Sequence, residues 1–367
     1  MKVDIITLHY INHYGSLLQT YATCKAFEKL GIEAEVVDYI RPNADERIQM
    51  DAALAAKNYK RDSIKGFLFE ISKKIENKKR REFSDRFLKQ YVPMTRHYKN
   101  YEDLKQNPPV ADIYCTGSDQ TWNSEYNGGI LPAYFLDFAP EGKKRIGYAV
   151  SIGMPKFPEN EYEQVKTFIY KYDSISVREN SAQKIIEGMG YRNVTQILDP
   201  TLVLSEEDWK PLIAKRMIKE KYIVIYKLNT IPEIEAFAKR IAEETGYRIV
   251  RMSYYLNHFK YKGKMVYSPD VEEFLSLIYN AEYVLTDSFH CLAFSINFSK
   301  EFFAFYPGMY STRLRSLLEL TGTTDRVVNH LDIDIKTLER IDYSKISEIL
   351  NRERNKAIRY LQECCSQ

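Results

Sequence analysis

The sequence lacks the patterns that would assign it quickly to a familiar chemistry. Its five cysteines, Cys24, Cys115, Cys291, Cys364 and Cys365, form no CxxC pair and show no metal-ligand rhythm, so neither a disulfide framework nor a metal site is expected. No apolar run approaches the roughly 18 residues of a membrane-spanning helix. The opening MKVDIITLHY has acid and polar residues where a signal peptide needs an unbroken apolar core, so a cytoplasmic chain is expected. An excess of one charge is missing as well: 53 Lys and Arg against 50 Asp and Glu leave +3, which argues against wholesale nucleic-acid binding and makes any anion specificity local. Neither a Walker loop nor a GxGxxG fingerprint occurs.

What is present is ordinary globular composition, 44% apolar and 28% charged over 367 residues, enough for about two domains at ~100–200 residues each. Tyrosine is abundant at 29, and its flat ring with a polar tip suits mixed cores and carbohydrate faces alike. Val3–Leu8, a helical pattern over Ser16–Leu30 and Glu35–Tyr39 give a strand–helix–strand opening. Further strand patterns fall at Asp112–Thr116, Arg145–Val150, Ser174–Val177, Val194–Leu198, Tyr222–Leu228, Arg248–Arg251, Tyr283–Thr286 and Glu301–Phe305. Helix-length segments such as Pro232–Thr245, Val271–Tyr279 and His290–Phe298 separate the later ones. This alternation predicts two α/β domains with parallel sheets and ligand sites at the carboxyl ends of strands. Gly153, Pro155 and Pro158 interrupt the pattern, placing the expected domains at 1–155 and 156–340, with a last helix in 341–367 packing back on the first.

Within the first domain, 57–90 reads as a basic helical insertion. Ile64, Phe67, Leu68, Ile71, Ile75, Phe83 and Phe87 lie near one stripe, and Lys57–Lys89 contains 12 basic and 5 acidic residues. A solvated helix face and a peripheral contact with anionic lipid at the inner face of the membrane both fit this pattern.

Cations recur where strands give way to helices. The strand Tyr283–Thr286 runs into Asp287-Ser288, a capping pair that puts His290 in the first helical turn, where unpaired N–H groups welcome an anion. An imidazole there can bind phosphate or exchange a proton, although a lone histidine can equally be structural. Arg178 follows the strand SISV, Lys227 ends the strand pattern YIVIYKL, and Arg313 opens the helix of STRLRSLLE. Convergence of Arg178, Lys227, Ser288, His290 and Arg313 on one sheet edge would make a polyanion pocket with an acid/base in it. Two loops follow strands in the first half. Asn12, Tyr14 and Gly15 belong to HYINHYGS, and Asp119, Gln120 and Trp122 to GSDQTWN. These side chains suit a sugar, the indole stacking on a pyranose while amide and carboxylate read hydroxyls; an Asx turn is the competing account of the second loop.

Taken in order, NHYGSLLQTYA (Asn12–Ala22), VVDYIRP (Val36–Pro42), GSDQTWN (Gly117–Asn123), YFLDFAPEGKKRIGYAVSIG (Tyr134–Gly153), SVRE (Ser176–Glu179), LDPTLVLS (Leu198–Ser205), DSFH (Asp287–His290) and STRLRSLLE (Ser311–Glu319) resemble the bacterial polysaccharide pyruvyl transferase family. The resemblance runs from Lys2 to about Val328. It implies a GT-B-like fold, two Rossmann-like halves with a cleft between them. It also implies transfer of the enolpyruvyl unit of phosphoenolpyruvate onto two hydroxyls of a sugar, leaving a pyruvate ketal and phosphate, with no cofactor beyond that co-substrate. Arg178, His290 and Arg313 take the positions of the family's donor-binding arginines and histidine, with His290 as acid/base. Cys291 replaces the glycine that many relatives carry after the histidine, which narrows the backbone approach. The acceptor, whether a sugar, a nucleotide sugar or a lipid-linked glycan, does not follow from the resemblance. A glycosyltransferase using a nucleotide sugar and a non-catalytic carbohydrate-binding protein of a capsule-assembly complex are the competing readings.

Overall fold

A computed structural model describes residues 1–306, 308–329 and 338–366. Pro307, 330–337 and Gln367, which the expected domain ranges include, lie outside the described residues. The chain forms two compact units, one of residues 1–200 with the C-terminal segment from Lys356, the other of Thr201–Asn355.

The first unit is built on seven parallel strands: β1 (Lys2–Ile6), β2 (Glu33–Tyr39), β3 (Met94–Tyr98), β4 (Ile113–Thr116), β5 (Lys144–Val150), β6 (Ser174–Val177) and β7 (Val194–Gln196). Their order is β3-β2-β1-β4-β5-β6-β7. Successive strands therefore build outward in one direction from β1 and in the other from β4, which makes the β1/β4 gap the topological switch point. A parallel sheet is covered on both faces, hence the fully buried β4, IYCT, and the buried run Gly147–Val150 of β5.

The second unit has five parallel strands, β8 (Tyr222–Tyr226), β9 (Arg248–Ser253), β10 (Lys264–Tyr267), β11 (Tyr283–Thr286) and β12 (Glu301–Ala304), in the order β10-β9-β8-β11-β12. Its switch point lies between β8 and β11. Its core joins Ile223, Ile225 and Leu285 of the sheet to Ile234, Phe237 and Ile241 of the Pro232–Thr245 helix.

The expected boundary at 155/156 is displaced. β6 pairs in parallel with β5, and β7 with β6, so the first sheet continues for two more strands and its unit ends at Pro200. The glycine and prolines at 153–158 form the connection from β5 to the Glu159–Ile169 helix instead of a linker. Arg178 consequently belongs to the first unit. β3 and β10 were not legible because both are edge strands, MTRHY and KMVY, whose polar and half-exposed residues break the apolar run.

Helix α1 (Tyr14–Glu28) is buried along nearly its whole length. It is covered on its outer side by α3 (Ile64–Tyr91), which follows α2 (Glu46–Ala56) and starts at the cap Ser63, whose Oγ accepts from Gly66 N at 3.0 Å. Phe83 of α3 stacks on Tyr14 with ring centroids 4.7 Å apart.

Candidate functional site

In the second unit the polypeptide leaves β8 and β11 on either side of the switch point. Asp287 joins the two exits: its Oδ1 accepts from Leu228 N at 2.7 Å, and its Oδ2 accepts from Asn229 N at 2.8 Å and Asn229 Nδ2 at 3.0 Å. Burial pushes its carboxyl above the usual range, and these donors work in the opposite direction. Ser288 caps the Phe289–Asn297 helix, its Oγ accepting from Cys291 N, so His290 sits in the first turn as its sequence position requires. The imidazole is 5% exposed and meets the Phe289 ring edge-on at 5.1 Å. Arg313, from the helix Thr312–Thr321, lies over the same Phe289 ring at 5.8 Å. His290 and Arg313 are thus brought to one aromatic side chain. Cys291 is fully buried, and burial pushes its thiol up to about 12, with Thr286 and Ser295 beside it. The Cys291 side chain is accommodated inward.

Lys227, at the end of β8, is bonded to Glu235 Oε1 at 2.6 Å. The same carboxylate takes Arg251 of β9 on both oxygens, at 2.9 and 2.6 Å. Two buried cations therefore share one anion, leaving a local positive excess, and Tyr261 covers both, 4.1 Å from Lys227 and 5.3 Å from Arg251. His258 is bonded to Ser253 Oγ at 2.8 Å, and burial together with the Lys227 charge lowers its pKa to about 4. Arg251, Glu235 and His258 were missed from sequence. Arg251 carried the same signal as Lys227, a charge near the end of an apolar strand.

In the first unit the loops after β1 and β4 flank the other switch point. Arg178 follows β6 and is 6% exposed. Its Nη1 donates to Asp199 Oδ2 at 2.6 Å and its Nη2 to Asp119 Oδ1 at 3.2 Å, while Glu179 lies 3.8 Å from Nε. Burial disfavours the guanidinium's charge, but Asp199, Asp119 and Glu179 outweigh this and hold its pKa above the usual value. Carboxylates surround Arg178 on three sides, and its bonds to Asp119 and Asp199 tie the exit of β6 to the 117–123 loop. Asp119 is committed in turn, receiving Ser16 Oγ at 2.8 Å and Gln120 N at 2.9 Å, and its φ of 78° bends the chain there. Glu179 Oε1 accepts from Ser151 Oγ, Ile152 N and Gly153 N, and Gly153 has φ +64° with the Gln120 side chain where a Cβ would sit.

Trp122 is a correction. The indole is 1% exposed, stacked on Phe135 at 5.2 Å, edge-on to Tyr172 and bonded through Nε1 to Tyr134 O, so no face remains for a pyranose. Tyr14 is corrected for the same reason, being fully buried against Phe83. Gly15 is buried, its N–H donating to His13 Nδ1. Asn12 and Gln120 remain partly exposed on the two loops; Asn12 has φ 55° and its carbonyl accepts from Arg80 Nε at 2.8 Å, and Gln120 Oε1 accepts from Asn123 Nδ2.

The fold recurs in solved structures. The UDP-GlcNAc 2-epimerase of Methanocaldococcus jannaschii aligns at a TM-score of 0.52 and 13% identity over 99% of this chain and 100% of its own. A Listeria monocytogenes protein assigned as UDP-N-acetylglucosamine 2-epimerase aligns at 0.50 and 13%, over 98% and 90%. At such identity the likeness establishes a GT-B-like architecture and nothing about activity. A sequence search of curated proteins finds no match. The sequence model of one family does match, over residues 13–308, a span that begins after β1, takes in the switch point of the second sheet and stops just before Arg313. With that match covering most of the chain, the protein belongs to the polysaccharide pyruvyl transferase family.

Proposed function

We propose that the protein transfers the enolpyruvyl group of phosphoenolpyruvate onto two hydroxyls of one sugar, forming a cyclic pyruvate ketal and releasing phosphate. The observation that carries this reading is His290 in the first turn of the helix after β11, at the switch point of the second sheet, with Arg313 over the neighbouring Phe289. A helix start of this kind favours an anion, and the donor carries both a carboxylate and a phosphate. Protonation of the donor's methylene carbon by His290 makes the adjacent carbon electrophilic. One sugar hydroxyl adds there, its proton leaving with the departing phosphate, and the second hydroxyl closes the ring, its proton returning to the imidazole. Arg313 and Ser288 hold the anionic ends of the donor, and the excess charge of the Lys227–Arg251–Glu235 cluster adds attraction. Arg178 acts as a positioning residue for the 117–123 loop, and Asn12 and Gln120 face the acceptor.

The test is phosphate release from phosphoenolpyruvate over a panel of bacterial glycan precursors, with mass spectrometry of the products. His290→Asn should lower turnover by roughly 10²–10⁴-fold, and Arg313→Ala should chiefly raise the KM for the donor. Turnover with a nucleotide sugar, and none with phosphoenolpyruvate, would make the protein a glycosyltransferase instead. Phosphate release unaltered in His290→Asn would remove the assigned acid.

A further inference from the structure

α3 has two faces with different work. Its inner face holds the first unit together: Phe83 stacks on Tyr14, Phe87 meets Tyr21, and Arg80 donates from Nε to Asn12 O at 2.8 Å and from Nη2 to Ile11 O at 3.2 Å. Its outer face carries Ile64, Phe67, Leu68, Ile71 and Ile75, recurring every three or four residues along one line of about 16 Å at 1.5 Å per residue. All five are exposed, from 40% at Ile71 to 81% at Ile64. A soluble helix face would carry polar residues at these positions, and a continuous exposed apolar stripe marks a contact.

We infer that this face docks on an anionic phospholipid surface. The charge around the stripe selects that occupant. Lys65, Lys74, Lys78 and Lys79 flank or continue it and are exposed, within a segment of 12 basic and 5 acidic residues over 57–89. Glu70 pairs with Lys74 and Glu82 with Lys79, so Lys65 and Lys78 contribute the surplus. A second copy meeting this face symmetrically would set the lysines against one another. Anionic headgroups complement them, while the isoleucines and Phe67 enter the acyl boundary and the lysine stems extend outward along it. Among the described residues no helix is long and apolar enough to cross a membrane, so the contact is peripheral. Because Arg80 ties the same helix to the 9–16 loop, docking would present that loop at the membrane. This consequence rests on the transferase reading and favours a lipid-linked acceptor.

The docking itself is tested without substrate, by sedimenting the full chain with vesicles of phosphatidylcholine alone and of phosphatidylcholine mixed with phosphatidylglycerol. Retention on the anionic vesicles, falling with salt, is expected, with little on the neutral ones. Phe67→Ser combined with Ile71→Ser should abolish it, and Lys65→Gln and Lys78→Gln should each weaken it roughly fivefold. Thermal melting should be unchanged, since these side chains are exposed. Absence of anionic-vesicle binding, equal binding to neutral vesicles, or retention unaltered in the variants would each overturn the inference. So would a dimer, measured by light scattering, that Phe67→Ser dissolves, since that would assign the stripe to a second copy.

Discussion

Trp122 and Arg178 show what a single residue's surroundings add to its identity. An indole among amides and a carboxylate reads from sequence as a sugar platform, but its neighbours Phe135 and Tyr172 lie 13 and 50 positions away and enclose it. No local pattern carries that information, because core and binding aromatics have the same chemistry. Trp122→Ala should therefore cost about 3–5 kcal/mol of stability, read by urea denaturation. A variant of parental stability that had lost only acceptor affinity would restore the sugar platform. Arg178 was legible as a cation at a strand end; its partners Asp119 and Asp199 were not. Arg178→Met leaves those carboxylates buried without their counter-charge, and a loss of about 3–5 kcal/mol is expected. If instead stability holds while the KM for phosphoenolpyruvate rises, the guanidinium grips the donor after all.

At the level of elements, the central strands were legible because parallel strands covered on both faces are buried throughout and largely apolar, as YIVIY and IYCT are. The helices Pro232–Thr245 and Val271–Tyr279 were equally plain from their spacing. Strands β3 and β10 escaped because Tyr98 is the single buried residue of the two, so neither shows a buried apolar run, and the domain boundary was misplaced because a Gly/Pro loop inside a unit looks like a linker. The switch points, which locate both candidate sites, depend on strand order and so on pairings that no single segment encodes. The C-terminal helix, Tyr343–Cys365, contributes from Lys356 onward to the first unit, where Ala357 and Leu361 are fully buried and the Tyr360 hydroxyl donates to Gly147 O at 2.7 Å. Tyr360→Phe leaves that β5 carbonyl without this donor and should cost about 1–2 kcal/mol, seen as a lower urea midpoint. An unchanged midpoint would show that the helix end adds nothing through this bond.

Across the whole molecule, two titrating side chains report on the two units with opposite sign. Asp4, in β1 of the first unit, is fully buried, and burial raises its pKa from 3.8 to about 6 against the opposing pull of Lys2, 3.5 Å away. Between those values the folded chain binds the proton that the unfolded chain has released, so this contribution to stability is lost as pH rises through the window. His258, in the second unit, is shifted from 6.5 down to about 4. Here the unfolded chain binds the proton first, and stability is lost as pH falls from 6.5 towards 4. Asp4→Asn should accordingly gain about 2 kcal/mol over the parent at neutral pH and nothing near pH 4. For His258→Gln, the difference from the parent should shift in the variant's favour by about 1–2 kcal/mol on acidification, a figure reduced for its half-buried position. Each unit has its own sheet and core, so calorimetry should resolve two transitions, with Asp4→Asn moving one and His258→Gln the other. If either substitution moves both transitions together, the two units unfold as a single cooperative body, and the division of the chain at Pro200 describes its geometry without describing its energetics.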